Sequence, residues 1–206
     1  MTIVIVDYGV GNLGSIQNML TRLGAIVETT SDPRVIERAS KLILPGVGAF
    51  DAGMGQLITS GLKSTLDDAA LVRKIPIAGI CLGMQLMTES SEEGTTPGLG
   101  WIAAKAMRFN PTSDEILKVP HMGWNTVALA KNSPVLQFVE KDARFYFVHS
   151  YFVRCKNAGD VLLRAKHGLT TFDAAFQNEN LFGFQFHPEK SHRFGMALLR
   201  GFVEAV

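Results

Sequence analysis

The chain has 206 residues, 47% hydrophobic and 19% charged, with 20 Lys+Arg against 19 Asp+Glu. That composition excludes a disordered or low-complexity polypeptide, and a domain of about 200 residues buries roughly 70% of the surface of its unfolded chain, so it needs no disulfide or metal to stay folded. A formal charge of +1 argues against a nucleic-acid groove or a polybasic membrane contact.

Thr2 to Val6 is a continuous β-branched run, as in a strand buried on both faces. Leu13, Ile16, Met19, Leu20 and Leu23 fall at helical spacing, with Gly24 at the stop position. A second strand over 26–29, a short helix over 33–39 and a third strand over 41–44 follow. One or two helices, broken near Gly61, are predicted over 51–71, then a strand over 75–80 and a helix over 82–88. Strand–helix alternation at this spacing predicts a parallel sheet with right-handed crossovers. After Gly94, short runs at 103–109, 125–129, 145–148, 161–166 and 172–177 read as hairpins or meanders, followed by a strand over 181–186 and a closing helix over 193–203. No repeat or linker interrupts the chain. The expectation is a single domain over 1–206: an open, mostly parallel α/β sheet with flanking helices and an antiparallel β extension.

Two cysteines, Cys81 and Cys155, make neither a disulfide framework nor a CxxC zinc pair. The start MTIVIVDYG lacks the basic region of a signal peptide, and the longest apolar stretch, near Ile77 to Met87, falls short of the about 20 residues that span a bilayer. The expectation is a cytoplasmic protein without metal, cofactor, nucleic acid or membrane partner. His121, His149, His167 and His192 show no metal-ligand spacing.

Three stretches carry candidate chemistry. Gly9-Val10-Gly11-Asn12-Leu13-Gly14 matches G-x-G-x-x-G between a strand and a helix, with Glu28 about 20 residues on, as in a dinucleotide fingerprint. The same glycines also suit a plain tight turn, and Asp7 at the strand end repels a pyrophosphate. Gly79-Ile80-Cys81-Leu82-Gly83 matches a nucleophile elbow with cysteine as nucleophile. It places the thiol at a helix N-terminus and leaves the Leu82 N–H free for an oxyanion. In Phe184 to Ser191 (FQFHPEKS), His187 and Glu189 are two apart at a strand end, so period two puts both on one side, the carboxylate orienting the imidazole. Cys81, His187 and Glu189 together point to acyl transfer through a thioester. Cys155, between Arg154 and Lys156, reads as structural, and Phe145, Tyr146, Phe147, Tyr151 and Phe152 as part core, part site wall.

Gly79 to Gln85 (GICLGMQ) and FQFHPEKS resemble the class I, triad-type glutamine amidotransferases. Within them, DYGVGNL (7–13), PGVGAF (45–50), PHMGWN (120–125) and YFVHSY (146–151) resemble the glutaminase subunits of imidazole glycerol phosphate synthases of histidine biosynthesis, over essentially the whole chain. His167-Gly168 and His192-Arg193-Phe194 depart from that pattern. The resemblance implies hydrolysis of L-glutamine by Cys81, His187 and Glu189. It implies oxyanion donors from Leu82 and from the Gly46, Val47 and Gly48 turn, and contacts to glutamine from Gln85, Gly48, Ser150 and Tyr151. It makes the Gly9–Gly14 turn a packing and docking loop, and implies a heterodimer with a (β/α)8-barrel cyclase subunit, docked through Asn12, Trp124, Tyr146 and Lys190. Three other readings stay open at this point: another glutaminase subunit, such as one serving pyridoxal phosphate synthesis; a noncatalytic scaffold on the same fold; and a nicotinamide-dependent oxidoreductase.

Overall fold

The computed structural model describes residues 2–110 and 117–206. Strands and helices alternate through the first half: β1 (Thr2–Val6), α1 (Leu13–Arg22), β2 (Ile26–Thr30), α2 (Pro33–Ile36), β3 (Lys41–Leu44), α3 (Phe50–Thr59), α4 (Lys63–Asp67), β4 (Ile77–Ile80) and α5 (Leu82–Leu86). The second half carries β5 (Ser90–Ser91), β6 (Ala104–Arg108), β7 (His121–Thr126), β8 (Ala128–Leu129), β9 (Arg144–His149), β10 (Tyr151–Cys155), β11 (Val161–His167), β12 (Thr170–Asn178), β13 (Leu181–Phe184) and α6 (His192–Glu204).

The main sheet runs β2-β1-β3-β4-β13-β12-β10-β6-β5, with β11 on β12 and β8 on β11. Pairing is parallel from β2 to β13 and antiparallel from β13 through β12, β10 and β6. A second sheet holds β7 and β9 alone. Alternation along β1 builds a core on both faces. Ile3 and Ile5 join Ile16 and Leu20 of α1 and Leu198 and Phe202 of α6. Val4 and Val6 join Phe50, Met54, Leu57 and Leu66 of α3 and α4. Buried Lys41 reaches α6, its Nζ donating to the carbonyls of Phe202, Val203 and Val206 at 2.7–2.8 Å.

The differences from expectation have local causes. The helix after β4 stops at Leu86 because the Thr88 hydroxyl donates to the Gln85 carbonyl at 2.7 Å, a side-chain bond that competes with helix continuation. The strand expected over 125–129 begins at His121 and breaks after Thr126, since its pairing with β9 starts at His121↔His149 and not at a β-branched run. Tyr151–Cys155 forms a full strand against β6. The strand expected to reach 186 ends at Phe184, and Pro188–Lys190 forms a 3-10 turn.

Candidate active site

Cys81 stands between β4 and α5 with φ 53° and ψ −108°. Left-handed φ in a residue with a side chain costs of order 1–3 kcal/mol and persists only where the surroundings enforce it. Here the Cys81 N–H donates to the Phe184 carbonyl at 2.7 Å. The flanking glycines do not carry the unusual torsion; they allow close approach. A Cβ on Gly83 would sit 1.8 Å from the Leu44 carbonyl oxygen, and one on Gly79 would sit 2.8 Å from the Gly83 backbone. The elbow is thus a cysteine forced into strain by a helix pressed onto its own sheet.

His187 and Glu189 meet, though not by strand periodicity. His187 lies beyond the end of β13, and the turn at Pro188 folds Glu189 back so that its Oε1 is 2.8 Å from His187 Nδ1. Both side chains are almost fully buried, at 3% and 2% exposure. Burial opposes charge on His187, but its interactions with Cys81 and Glu189 outweigh that and raise its pKa to about 9. Thiol and imidazole therefore influence one another, although no hydrogen bond of ordinary geometry engages the buried Nε2. Main-chain bonds tie this turn to the small sheet. The His187 N–H donates to the Tyr146 carbonyl at 2.9 Å, the Tyr146 N–H donates to Ser191 Oγ at 3.0 Å, and that hydroxyl donates to the His187 carbonyl at 2.6 Å.

A cavity of about 340 Å³ opens at this point, walled by Cys81, His187, Gln85, Gly48, Ser150 and Tyr151. All four residues expected to hold glutamine are among its walls. Glu93 and His149 also line it, and the sequence reading missed both for this role. So too Gln185: fully buried, it takes a hydrogen bond from Gln85 Nε2 at 3.1 Å and donates toward Cys81 Sγ at 3.8 Å. Its place two residues before His187 was the available signal. A larger apolar groove of about 650 Å³, between Val127, Leu129, Pro134 and Leu163, touches none of these groups.

The oxyanion expectation needs correction. The Leu82 N–H is not free: it donates to the Gly46 carbonyl at 3.3 Å. The Gly46–Val47 peptide thus presents an acceptor where a donor was expected. Val47 and Gly48, the latter at φ 103°, line the cavity and Gly46 does not. The turn is gripped from the first loop. The Tyr8 hydroxyl donates to the Pro45 carbonyl at 2.5 Å, and Gly11 packs so closely that a Cβ there would lie 3.1 Å from Pro45. Burial, with the Cys81 charge second, pushes the Tyr8 phenol well above its ordinary range. The Gly9 N–H is occupied by Asp7 Oδ1 at 3.0 Å, so this loop turns its first amide toward its own carboxylate and away from any phosphate.

Of the docking residues, Trp124 and Tyr146 are cross-strand partners on β7 and β9, with ring centroids 6.3 Å apart. Lys190 Nζ lies 5.8 Å from the Tyr146 ring centre. Trp124 is 44% exposed and His192 stacks on it at 5.5 Å. Asn12 is exposed at the start of α1 and forms no capping bond. Cys155 is buried, its thiol pushed up to about 12 by burial and by Asp173, which also accepts its N–H; such a thiol is inert. His121, His149 and His167, far apart in sequence, converge around Phe109. No helix among the described residues is long and apolar enough to cross a membrane.

Comparison with known proteins agrees with this geometry. Residues 4–206 match the family described as glutamine amidotransferase class-I. The chain is 50% identical to imidazole glycerol phosphate synthase subunit HisH 2 of Pseudomonas aeruginosa, over 99% of this chain and 100% of that protein. It is 46% identical to the subunit of the same name from Methanococcus maripaludis, over 98% of both. Among solved structures, PurLQS from Thermotoga maritima superposes with a TM-score of 0.74 at 19% identity, over 98% of this chain and 97% of that one. A sulfur forced out of the sheet plane beside a buried His–Glu pair, together with these likenesses along the full length, establishes that the chain belongs to the class-I glutamine amidotransferases and, within them, to the HisH subunits of imidazole glycerol phosphate synthase.

Proposed function

We propose that the chain, as one glutamine amidotransferase domain over residues 1–206, hydrolyses L-glutamine at Cys81 and passes the ammonia to a (β/α)8-barrel cyclase subunit in a cytoplasmic heterodimer. The observation that carries this reading is the strained Cys81 facing the buried His187–Glu189 pair across the cavity. Cys81 gives its thiol proton to His187, and its Sγ attacks the side-chain amide carbon, forming a C–S bond. His187 protonates the departing nitrogen as the C–N bond breaks, leaving a thioester and ammonia. Water then attacks the thioester, giving its proton to His187, and the C–S bond breaks to return the thiolate and release glutamate. Glu189 holds the imidazole tautomer. Gln85, Gly48, Ser150 and Tyr151 position the α-amino and carboxylate groups, with the Glu93 carboxylate available to the ammonium.

Ammonia is largely protonated at neutral pH and then no nucleophile, which favours direct transfer to a partner. The partner would use it to form imidazole glycerol phosphate and an aminoimidazole carboxamide ribotide. Trp124, Tyr146 and Lys190, which lie together, are the docking surface, with Asn12 contributing from the first loop. Docking is coupled to chemistry by rotation of the Gly46–Val47 peptide. With the Gly46 carbonyl on the Leu82 N–H, one donor is masked and the other faces away. Rotation releases Leu82 and turns the Val47 N–H inward. One oxyanion donor is typically worth about 100- to 1,000-fold in rate. The test compares glutamine hydrolysis by the free subunit with that of its complex carrying the cyclase's nucleotide ligand. Acceleration in the complex is expected; equal rates overturn the coupling, and no hydrolysis in either overturns the activity.

A further inference from the structure

The convergence of His121 and His149 forms a hydrogen-bond chain whose direction is fixed at both ends. The Asn125 side-chain amide donates to the Lys166 carbonyl at 2.9 Å, so its second N–H faces His121 Nε2 at 3.1 Å. At the other end His149 Nδ1 lies 2.8 Å from the Tyr151 carbonyl, which can only accept. His149 therefore carries its proton on Nδ1 and accepts on Nε2. His121 Nδ1, at 3.0 Å from that nitrogen, must be the donor, and its Nε2 the acceptor. The two ends require the same tautomers. The Tyr151 carbonyl also accepts from Gln85 Nε2 at 3.0 Å, and Gln85 continues through Gln185 to Cys81. One unbroken chain thus runs from strand β7 to the nucleophile.

The surroundings keep the pair neutral. His121 and His149 are 5% and 6% exposed and pack against the rings of Phe109, Phe147 and Phe172. Burial first, with His167 adding to it, pushes His121 down to about 4. Burial also pushes His149 down to about 3 against the pull of the Tyr151 carbonyl, with His121, His167 and His187 adding to the effect. A proton added to either ring would set two N–H groups against one another.

We propose that His121 and His149 are positioning residues for glutamine, a polarised imidazole pair that sets the Tyr151 carbonyl and the Gln85 amide. This rests on the glutaminase reading. It assigns the histidines a role in substrate placement, separate from the proton transfers of His187.

The test uses the cyclase complex with its nucleotide ligand bound. His149→Phe keeps the ring and removes both nitrogens; His149→Asn restores a donor at the Nδ1 position. His149→Phe is expected to raise the KM for glutamine roughly 10-fold while kcat changes by less than about 3-fold, and His149→Asn to recover most of that loss. Equal KM values for wild type and His149→Phe overturn the proposal, as do equal increases in both variants at unchanged melting temperature. A wild-type complex that hydrolyses no glutamine overturns the glutaminase reading, and this proposal with it. Imidazole ¹⁵N spectra of the wild-type subunit give a readout independent of activity: the Nδ1–H tautomer is expected on both rings from pH 5 to 8. The Nε2–H tautomer or an imidazolium on either ring in that range overturns the chain.

Discussion

Replacing Glu189 with glutamine removes a charge while keeping an acceptor oxygen 2.8 Å from His187 Nδ1. The wild-type imidazole is raised from 6.5 to about 9 although burial works against it, because Cys81 and Glu189 favour the charged ring. That rise corresponds to about 3 kcal/mol at about 1.4 kcal/mol per pH unit. Since the folded value lies above the unfolded one, the stabilisation is complete below pH 6.5 and is lost as pH rises through about 9. In Glu189→Gln, burial is met by Cys81 alone, and the value falls back toward 6.5 or below. Glutamine hydrolysis by the cyclase complex, followed from pH 6 to 10, should show a wild-type decline near pH 9 as the imidazolium is lost. In the variant the decline should begin at least about one pH unit lower, with a rate near pH 8 reduced roughly 100-fold or more. An unchanged rate with a decline still near pH 9 would refute the claim that this carboxylate sustains the imidazolium.

Cys81→Gly and Cys81→Ala should both abolish hydrolysis, and the glycine variant should be the more stable of the two by about 1–2 kcal/mol in chemical denaturation, because both lack the thiol and glycine alone accepts φ 53° without strain; equal stabilities, or a more stable alanine variant, would refute the strain. Tyr8→Phe removes the hold on the Pro45 carbonyl. It should cost about 1 kcal/mol of stability and raise hydrolysis by the free subunit roughly 3- to 10-fold, as the Gly46–Val47 peptide rotates more readily; a rate at or below wild type would count against that anchor. Lys41→Met leaves two carbonyls of α6, Phe202 and Val203, and that of Val206 just beyond it without their ammonium. It should lower the melting temperature by several degrees, at about 2–4 °C per kcal/mol for a chain of this size, while leaving glutamine hydrolysis intact.

What was legible in the sequence was what neighbouring residues decide. The run Thr2 to Val6 could be little but a buried strand, and Gly79-Ile80-Cys81-Leu82-Gly83 announced an elbow because its glycines and thiol lie within five positions. His187 and Glu189 were paired correctly for an incomplete reason: the turn at Pro188, rather than strand period, joins them. The imidazole chain was illegible because it depends on the register His121↔His149 between strands 28 positions apart. Glu93 enters the cavity from an irregular segment whose course is set by Glu93 accepting the Phe50 N–H and Asp51 accepting those of Thr95 and Thr96. The masking of the Leu82 N–H is a matter of one peptide's rotation, which residue types leave open at a Gly-Val step.

The sulfur rides on β4, deep in the main sheet, whereas the imidazole is laced through Tyr146 to the two-stranded β7–β9 ribbon. Phe145 and Phe147 of that ribbon sit in the same apolar layer as Phe186, so moving the ribbon against β4 would disturb that layer together with the sulfur–imidazole distance, and turnover and melting temperature should fall together.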